Sequence, residues 1–263
     1  MSTLLAASDD GFEAPTSADF WQPLFGTHGN LAITRSSIVI LISVAVLCLW
    51  LVRATRRLSL VPGKMQFAVE GVYGLVRNSI GRDVLGSRDF LRFVPLLFSM
   101  FTLILLNNLF GVLPPVQFPT MSRFAFPLVL ALIVFVVYHA VGIRRVGLGT
   151  YLGNLIPKGV PKAVLPLLIP LEYVTYFITR PATLALRLWG NMFAGHIIVV
   201  LFITGGEYLL LHSDVIGYKP VGVVSYIAAF VMTVFEILVQ FLQAYVFTLL
   251  TALYIAGSLV DEH

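Results

Sequence analysis

The sequence predicts an all-α membrane protein. Of its 263 residues, 58% are hydrophobic and only 11% are charged, a balance that ordinary soluble domains do not reach. Several apolar stretches are long enough to cross a bilayer as helices. The connections between them are too short to hold a separate core. We therefore expect a polar N-terminal segment, residues 1–35, followed by one integrated membrane domain, residues 36–263.

Composition also excludes several classes of function. The net charge of +4 is modest, and its distribution is more useful for topology than as a sign of nucleic-acid binding. The single cysteine, Cys48, excludes an intrachain disulfide and a cysteine-based metal site. No Gly-rich phosphate loop, no nucleophile beside a base and no metal-ligand cluster is found. We therefore expect no catalytic site, metal or cofactor.

The first element is a spanning helix at residues 36–52. The segment before it carries acidic side chains such as Asp9 and Glu13 and lacks the basic start of a signal peptide. We expect this segment to be retained outside the membrane. Arg53 and Arg56 follow the helix directly, which indicates its cytoplasmic end.

Residues 64–86 predict an amphipathic helix in the cytoplasmic interface. Its charged residues, among them Glu70 and Arg77, exclude a spanning segment. The alternative is a helix docked on the soluble part of another subunit. The apolar face has helical spacing and consists of Val69, Val72, Tyr73, Val76, Ile80 and Val84.

Two further spans, residues 93–113 and 124–143, form a hairpin that turns outside the membrane through a proline-rich connection. Arg144 and Arg145 follow on the cytoplasmic side, in agreement with the first span. Asn107 and Asn108 lie near the outer end of the hairpin. They either hydrogen-bond neighbouring helices or line a polar path. We interpret His139 as a satisfied interfacial histidine.

The last two runs, residues 163–205 and 221–260, are too long for ordinary spans. As helices they would measure about 64 and 60 Å, whereas the hydrocarbon core is about 30 Å thick. Each run either breaks into two pieces or lies at a steep tilt. We interpret them as a steeply inclined hairpin that ends in the cytoplasm.

Arg187 is the anomaly in this hairpin. A guanidinium stays protonated, and placing it in mid-bilayer costs at least about 2.5–3.5 kcal/mol. Helical periodicity puts Arg180, Arg187 and Asn191 on one face and His196 on the opposite side. Arg187 is either functional or a structural residue satisfied by helix carbonyls or by Asn191.

The second arm carries a polar stripe of Glu236, Gln240 and Gln243. In an antiparallel hairpin this spacing pairs Arg187 with Gln243 and His196 with Glu236 by level. A histidine beside a carboxylate can pass protons, on a path that enters from outside. The same residues could instead form a packing ion pair and interhelical hydrogen bonds.

Glu172 is the candidate for a second proton path on the cytoplasmic side. This acid lies on the cytoplasmic half of the first arm and could line a second path. The fixed charge of Arg187 would then separate the two paths, because it repels a migrating proton and attracts a carboxylate.

Two motifs resemble subunit a of F-type ATP synthases. They are Leu186-Arg187-Leu188-Trp189-Gly190-Asn191-Met192-Phe193-Ala194-Gly195 and Leu242-Gln243-Ala244-Tyr245-Val246-Phe247-Thr248-Leu249-Leu250-Thr251. The resemblance covers the chain from about residue 36 to the end. It implies a multi-pass protein of the cell membrane that couples proton flow to ATP synthesis. The implied partners are a rotating ring of c subunits, b-type peripheral stalk subunits, the other synthase subunits and the lipid bilayer.

The resemblance also assigns roles to residues. It implies that Arg187 faces the carboxylates of the ring and that Asn191 and Gln243 are its polar neighbours. His196 and Glu236 would line the outer half-channel.

Several positions depart from the usual family pattern or keep more than one interpretation. Glu172 would be the acid of the inner half-channel, although its spacing to Arg187 departs from the usual register. His196 and Glu236 exchange the acid and the histidine that many bacterial members place on the first and second arm. Trp189 replaces a common phenylalanine and is expected to change packing only. Arg180 is either an interface anchor or a second ring-facing charge.

The alternative function is a proton-coupled secondary transporter. Such proteins usually show internal repeats with interrupted helices in both halves, and we find no repeat in this sequence. A purely structural membrane subunit would leave the intramembrane arginine unexplained.

Overall fold

A computed structural model describes most of the chain. The described residues are 14–16, 23–25, 33–56, 59–113, 119–155, 161, 164–212 and 216–259. Most of the polar N-terminal segment and the centre of the proline-rich connection therefore lie outside the described residues. Before the first helix, two short strands, β1 (Pro23–Phe25) and β2 (Ile33–Thr34), pair in antiparallel fashion.

All other regular elements described are helical. The first half contains α1 (Arg35–Thr55), α2 (Lys64–Gly74), a π-helical segment (Leu75–Arg82), α3 (Asp83–Phe110), a 3-10 turn (Thr120–Ser122), α4 (Ala125–Val146) and α5 (Leu148–Asn154). The second half contains α6 (Leu165–Val174), a π-helical turn (Thr175–Thr179), α7 (Arg180–Glu207), a π-helical turn (Tyr208–His212), a 3-10 turn (Ile216–Tyr218) and α8 (Lys219–Leu259).

Within the described residues, five helical stretches are long and apolar enough to cross a membrane. They are Arg35–Thr55, Asp89–Phe110, Ala125–Val146, Leu165–His212 and Lys219–Leu259. The predicted class, a helical membrane protein, is confirmed. The predicted spans 36–52, 93–113 and 124–143 overlap the first three of these stretches, and the division into three spans and a tilted hairpin stays a prediction.

The surface segment before α3 is less regular than one amphipathic helix. It changes from α to π geometry at Leu75, and Gly86 then breaks the helix with φ 77° and ψ 170°, a backbone conformation that favours glycine. Of the predicted apolar face, Val76 and Ile80 are fully buried whereas Tyr73 is exposed. Tyr73 precedes the π segment and contacts the Phe98 ring edge to face at 5.8 Å between centroids.

The core lies among α3, α4, α7 and α8. Its fully buried members are apolar and tightly packed: Leu97, Phe101, Ile104, Ala131, Val134, Ala185, Leu188, Phe247, Ala252 and Ile255. The helices α7 and α8 approach closely at Gly206 and Gly222, where a Cβ on Gly222 would lie 3.1 Å from the Gly206 carbonyl oxygen. Small residues of this kind let two membrane helices approach.

A cluster of buried, hydrogen-bonded polar side chains connects α1 to this core. Asn107 Nδ2 donates to Ser43 Oγ of α1 at 2.9 Å and to the Leu103 carbonyl at 2.9 Å. Asn107 Oδ1 accepts from Thr120 Oγ1 at 3.0 Å. For Asn107, hydrogen bonding between elements is therefore the reading that the contacts favour.

Gly142 provides a test of the packing between α4 and α5. A Cβ at this position would collide with the ring of the buried Tyr151, whereas one on Gly149 would meet nothing within 4 Å. Because overpacking costs about 1–3 kcal/mol, we expect Gly142→Ala to lower the melting temperature of the detergent-solubilised protein. Gly149→Ala, also in a helix, is the matched control. Equal melting temperatures for the two variants would contradict this packing.

Candidate functional site

Arg187 lies on an exposed face of α7 that is polar around the arginine and apolar farther along the helix. The exposed residues of this face recur every three or four positions and are Thr183, Arg187, Asn191, Ala194, Ile198 and Leu201. Within the described chain, the structure records no hydrogen bond or ion pair for the Arg187 side chain. A permanent cation on an apolar intramembrane helix is costly unless a partner covers it. The arrangement therefore indicates a binding face.

The nearest polar contact along this face joins the two long helices. Asn191 Nδ2 of α7 donates to Gln243 Oε1 of α8 at 2.8 Å. Sequence reasoning had put Gln243 level with Arg187, so the observed partner lies one helical turn farther along α7. Gln243 is buried, and its Nε2 has no partner among the described residues.

Glu236 lies at the level that the sequence predicts, beside the position of His196. A Cβ on Gly195 would lie 3.2 Å from Glu236 Oε1, so the carboxylate packs against the residue that precedes His196. Glu236 is buried, and Oε1 accepts a hydrogen bond from Gln240 Nε2 at 3.1 Å. His196 is half-buried.

Buried polar atoms without partners cluster around this stripe. The Gln240 carbonyl accepts from Asn108 Nδ2 at 3.3 Å, but Asn108 Oδ1 and Gln240 Oε1 have no partner in the described part of the chain. An unpaired buried polar atom costs about 1–3 kcal/mol, and ordered water commonly satisfies such atoms. The stripe is therefore suited to holding water, and Asn108 contacts it through an interhelical hydrogen bond.

Glu172 is not brought together with these residues by any recorded contact. It lies half-buried on α6, and the structure records no hydrogen bond or ion pair for its side chain among the described residues. The π-helical turn Thr175–Thr179 separates it from α7. Because a π turn adds a residue to the helical repeat, the angle between Glu172 and Arg187 cannot be read from regular α-helical spacing.

Arg180 occupies an aromatic environment that sequence reasoning missed. Its guanidinium carbon lies 3.5 Å from the ring centroid of Tyr176 and 5.0 Å from that of Tyr254 on α8. The Tyr138 hydroxyl of α4 donates to the Tyr176 carbonyl at 2.7 Å. The tyrosine four residues before Arg180 was the available signal, since residues at this spacing share a helix face.

His139 is only partly satisfied by its surroundings. Nδ1 lies 3.0 Å from the Phe135 carbonyl, and the ring packs against Phe135, Tyr138 and Phe177. Nε2 is buried without a partner among the described residues. The expectation of a satisfied histidine therefore holds for one ring nitrogen of the two.

Trp189 does more than alter packing, contrary to the sequence-based expectation. Its Nε1 donates to the Ser122 carbonyl at 2.7 Å, and its ring stacks on Phe193. A phenylalanine could make the ring contacts but not this hydrogen bond, because it has no donor. The tryptophan thus fastens α7 to the 3-10 turn before α4.

No group of three or more metal-ligating side chains is found in the described part of the chain. The site combines the exposed guanidinium of Arg187, the buried carboxylate of Glu236 and the buried amides of Gln240 and Gln243.

Comparison with known proteins gives the family. Residues 37–256 match the protein family described as ATP synthase A chain. A protein of Nocardioides sp. named ATP synthase subunit a is 43% identical, with 100% of this chain and 98% of that protein covered. Its counterpart of the same name from Pseudarthrobacter chlorophenolicus is 44% identical, and 98% of each chain is covered.

Proposed function

We propose that this chain, which belongs to the ATP synthase A chain family and is a multi-pass membrane subunit of a proton-translocating F-type ATP synthase, is the stator beside a ring of c subunits. In this role it provides two offset aqueous half-channels for protons. The ring, the b-type peripheral stalk and the remaining synthase subunits are its proposed partners. Nucleotide chemistry is assigned to those other subunits.

The exposed guanidinium of Arg187 is the observation that carries the proposal. Apolar and uncharged polar side chains can lie against lipid, but a bare cation among them is costly there. A carboxylate on a neighbouring subunit would offset that cost through direct attraction, which is strong where water is excluded. A ring that presents successive carboxylates at this level would supply such a counter-charge at each step.

The proposed mechanism is electrostatic. A proton from the outer path neutralises a ring carboxylate, which can then move into lipid because it no longer carries a bare charge. After most of a turn the site releases its proton to the cytoplasm through the inner path. The regenerated carboxylate is then attracted past Arg187, whose positive charge prevents direct leakage between the paths. Each charge that crosses 100 mV releases about 2.3 kcal/mol.

The outer half-channel is assigned to His196, Glu236 and Gln240. Support comes from the position of Glu236 against Gly195 and from its hydrogen bond to Gln240. The unpaired buried atoms of Gln240 and of Gln243 favour a chain of water molecules along the same helix. Such a chain would let the His196 and Glu236 pair pass protons inward.

The membrane arrangement is a second part of the proposal. The stretches Leu165–His212 and Lys219–Leu259 contain 48 and 41 residues, which corresponds to about 70 and 60 Å of helix. Since the hydrocarbon core is about 30 Å thick, we place both at a steep tilt across it. The N-terminus then lies outside and the C-terminus in the cytoplasm, with residues 64–86 in the inner interface and Glu172 on the inner path.

Replacing Arg187 tests the stator role. In native membranes, Arg187→Ala should abolish ATP-driven proton pumping and proton-driven ATP synthesis, because nothing then attracts the ring carboxylate or separates the two paths. Inverted vesicles with a fluorescent pH probe give the measurement, and immunoblots confirm assembly. Leu186→Ala, an exposed neighbour, is the matched control. Substantial coupled pumping in Arg187→Ala would reject the proposal.

An exchange of two residues tests the outer path. If His196 and Glu236 act as a pair, the double variant His196→Glu/Glu236→His should pump protons better than either His196→Ala or Glu236→Ala. The reason is that the exchange preserves one carboxylate and one imidazole at the same level. Initial pumping rates per assembled complex provide the comparison. An inactive exchange variant beside active alanine variants would contradict the pairing.

A further inference from the structure

Arg180 and Arg187 lie seven positions apart on α7. The surroundings of their side chains differ. Arg187 is exposed, whereas Arg180 is half-buried. The Arg180 guanidinium carbon lies 3.5 Å from the Tyr176 ring centroid and 5.0 Å from that of Tyr254. Aromatic faces attract cations at these distances, most strongly where water is excluded. The positive charge of Arg180 is thus stabilised by two tyrosine rings of the same chain. A carboxylate of the c-subunit ring is not required to stabilise it.

Two contacts between α7 and α8 therefore bracket Arg187. On one side Arg180 contacts Tyr254, and on the other side Asn191 donates to Gln243 at 2.8 Å. Arg180 precedes Arg187 by seven residues and Asn191 follows it by four. Both intervals are close to whole numbers of helical turns, so the two contacts lie on nearly the same side of α7 as Arg187. Together they limit both rotation and sliding of this part of the helix.

The backbone before Arg180 explains why such a contact is needed. The π-helical turn Thr175–Thr179 directly precedes α7, and π turns have less regular hydrogen bonding than an α-helix. The regular α-helical hydrogen bonding of α6 therefore does not continue directly into α7, and α6 alone does not fix the orientation of α7. Tyr138 supports this turn from α4 by donating its hydroxyl hydrogen to the Tyr176 carbonyl at 2.7 Å.

We propose that Arg180, clamped between Tyr176 and Tyr254, is a positioning residue that sets the rotation and level of Arg187 on the face of α7. This inference rests on the proposed function of Arg187. In this role Arg180 helps to hold α7 against α8. The aromatic rings take the place of solvent around its charge, and the planar guanidinium stacks on them better than a lysine ammonium would.

Substitutions in the clamp should lower coupling without removing it. Loss of a desolvated cation–π contact changes a conformational equilibrium by roughly three- to thirtyfold. We expect Arg180→Leu and Tyr254→Leu each to lower the ratio of proton pumping to ATP hydrolysis by a factor in that range. Tyr254→Phe retains an aromatic face and should behave like the unchanged protein.

A cross-link separates positioning from a direct role of the Arg180 charge. The double variant Arg180→Cys/Tyr254→Cys is made in a Cys48→Ser background, because Cys48 is exposed. It should couple poorly, and joining the two cysteines with a short bifunctional maleimide in the assembled complex should raise the coupling ratio severalfold. Thr183→Cys/Tyr254→Cys, treated identically, is the control for the reagent.

The outcomes decide between the alternatives. A cross-linked variant that remains uncoupled, or an Arg180→Leu variant with unchanged coupling, would overturn the positioning role. Arg187→Ala is measured in the same preparation. If Arg187→Ala itself retains coupling, the proposed function fails. If Arg187→Ala abolishes coupling but the clamp variants do not affect it, only the present inference fails.

Discussion

A single constraint organises this molecule: a cation that cannot be neutralised lies on an apolar helix within the membrane. Arg187 keeps its charge at every physiological pH, and the described chain offers it no ion pair. In the proposed role, another subunit supplies the counter-charge that makes this position in the membrane affordable. Membership of the ATP synthase A chain family supplies the setting in which such a partner is expected.

The helices around Arg187 combine two opposed properties. Apolar side chains such as Leu188 and Phe247 pack α7 and α8 into the core, whereas Glu236, Gln240 and Gln243 bring buried polar groups into the same pair. Unpaired polar atoms are costly in a dry interior. In the proposed role, water along the outer half-channel satisfies these atoms.

Much of this arrangement could be predicted from the sequence, for identifiable physical reasons. Span lengths follow from bilayer thickness, and Arg187 is conspicuous because charge is expensive in lipid. Antiparallel geometry also placed Glu236 at the level of His196. Other features could not be predicted, because π-helical turns change the register without an obvious sequence signal. The turn Thr175–Thr179, for example, prevents the angle between Glu172 and Arg187 from being read from regular helical spacing.

Side-chain contacts across long sequence separations were equally inaccessible. The hydrogen bond from Trp189 to Ser122 and the contact of Arg180 with Tyr254 depend on how α7 packs against neighbours that the helical pattern does not specify.

The most direct test of the central claim is photo-crosslinking from Ala194, which shares the exposed face of Arg187, in the assembled synthase. We predict an adduct with a c subunit, and a matched probe at Leu49 on α1 controls for random collisions. Adducts from Ala194 with lipid or its own chain alone would contradict the account.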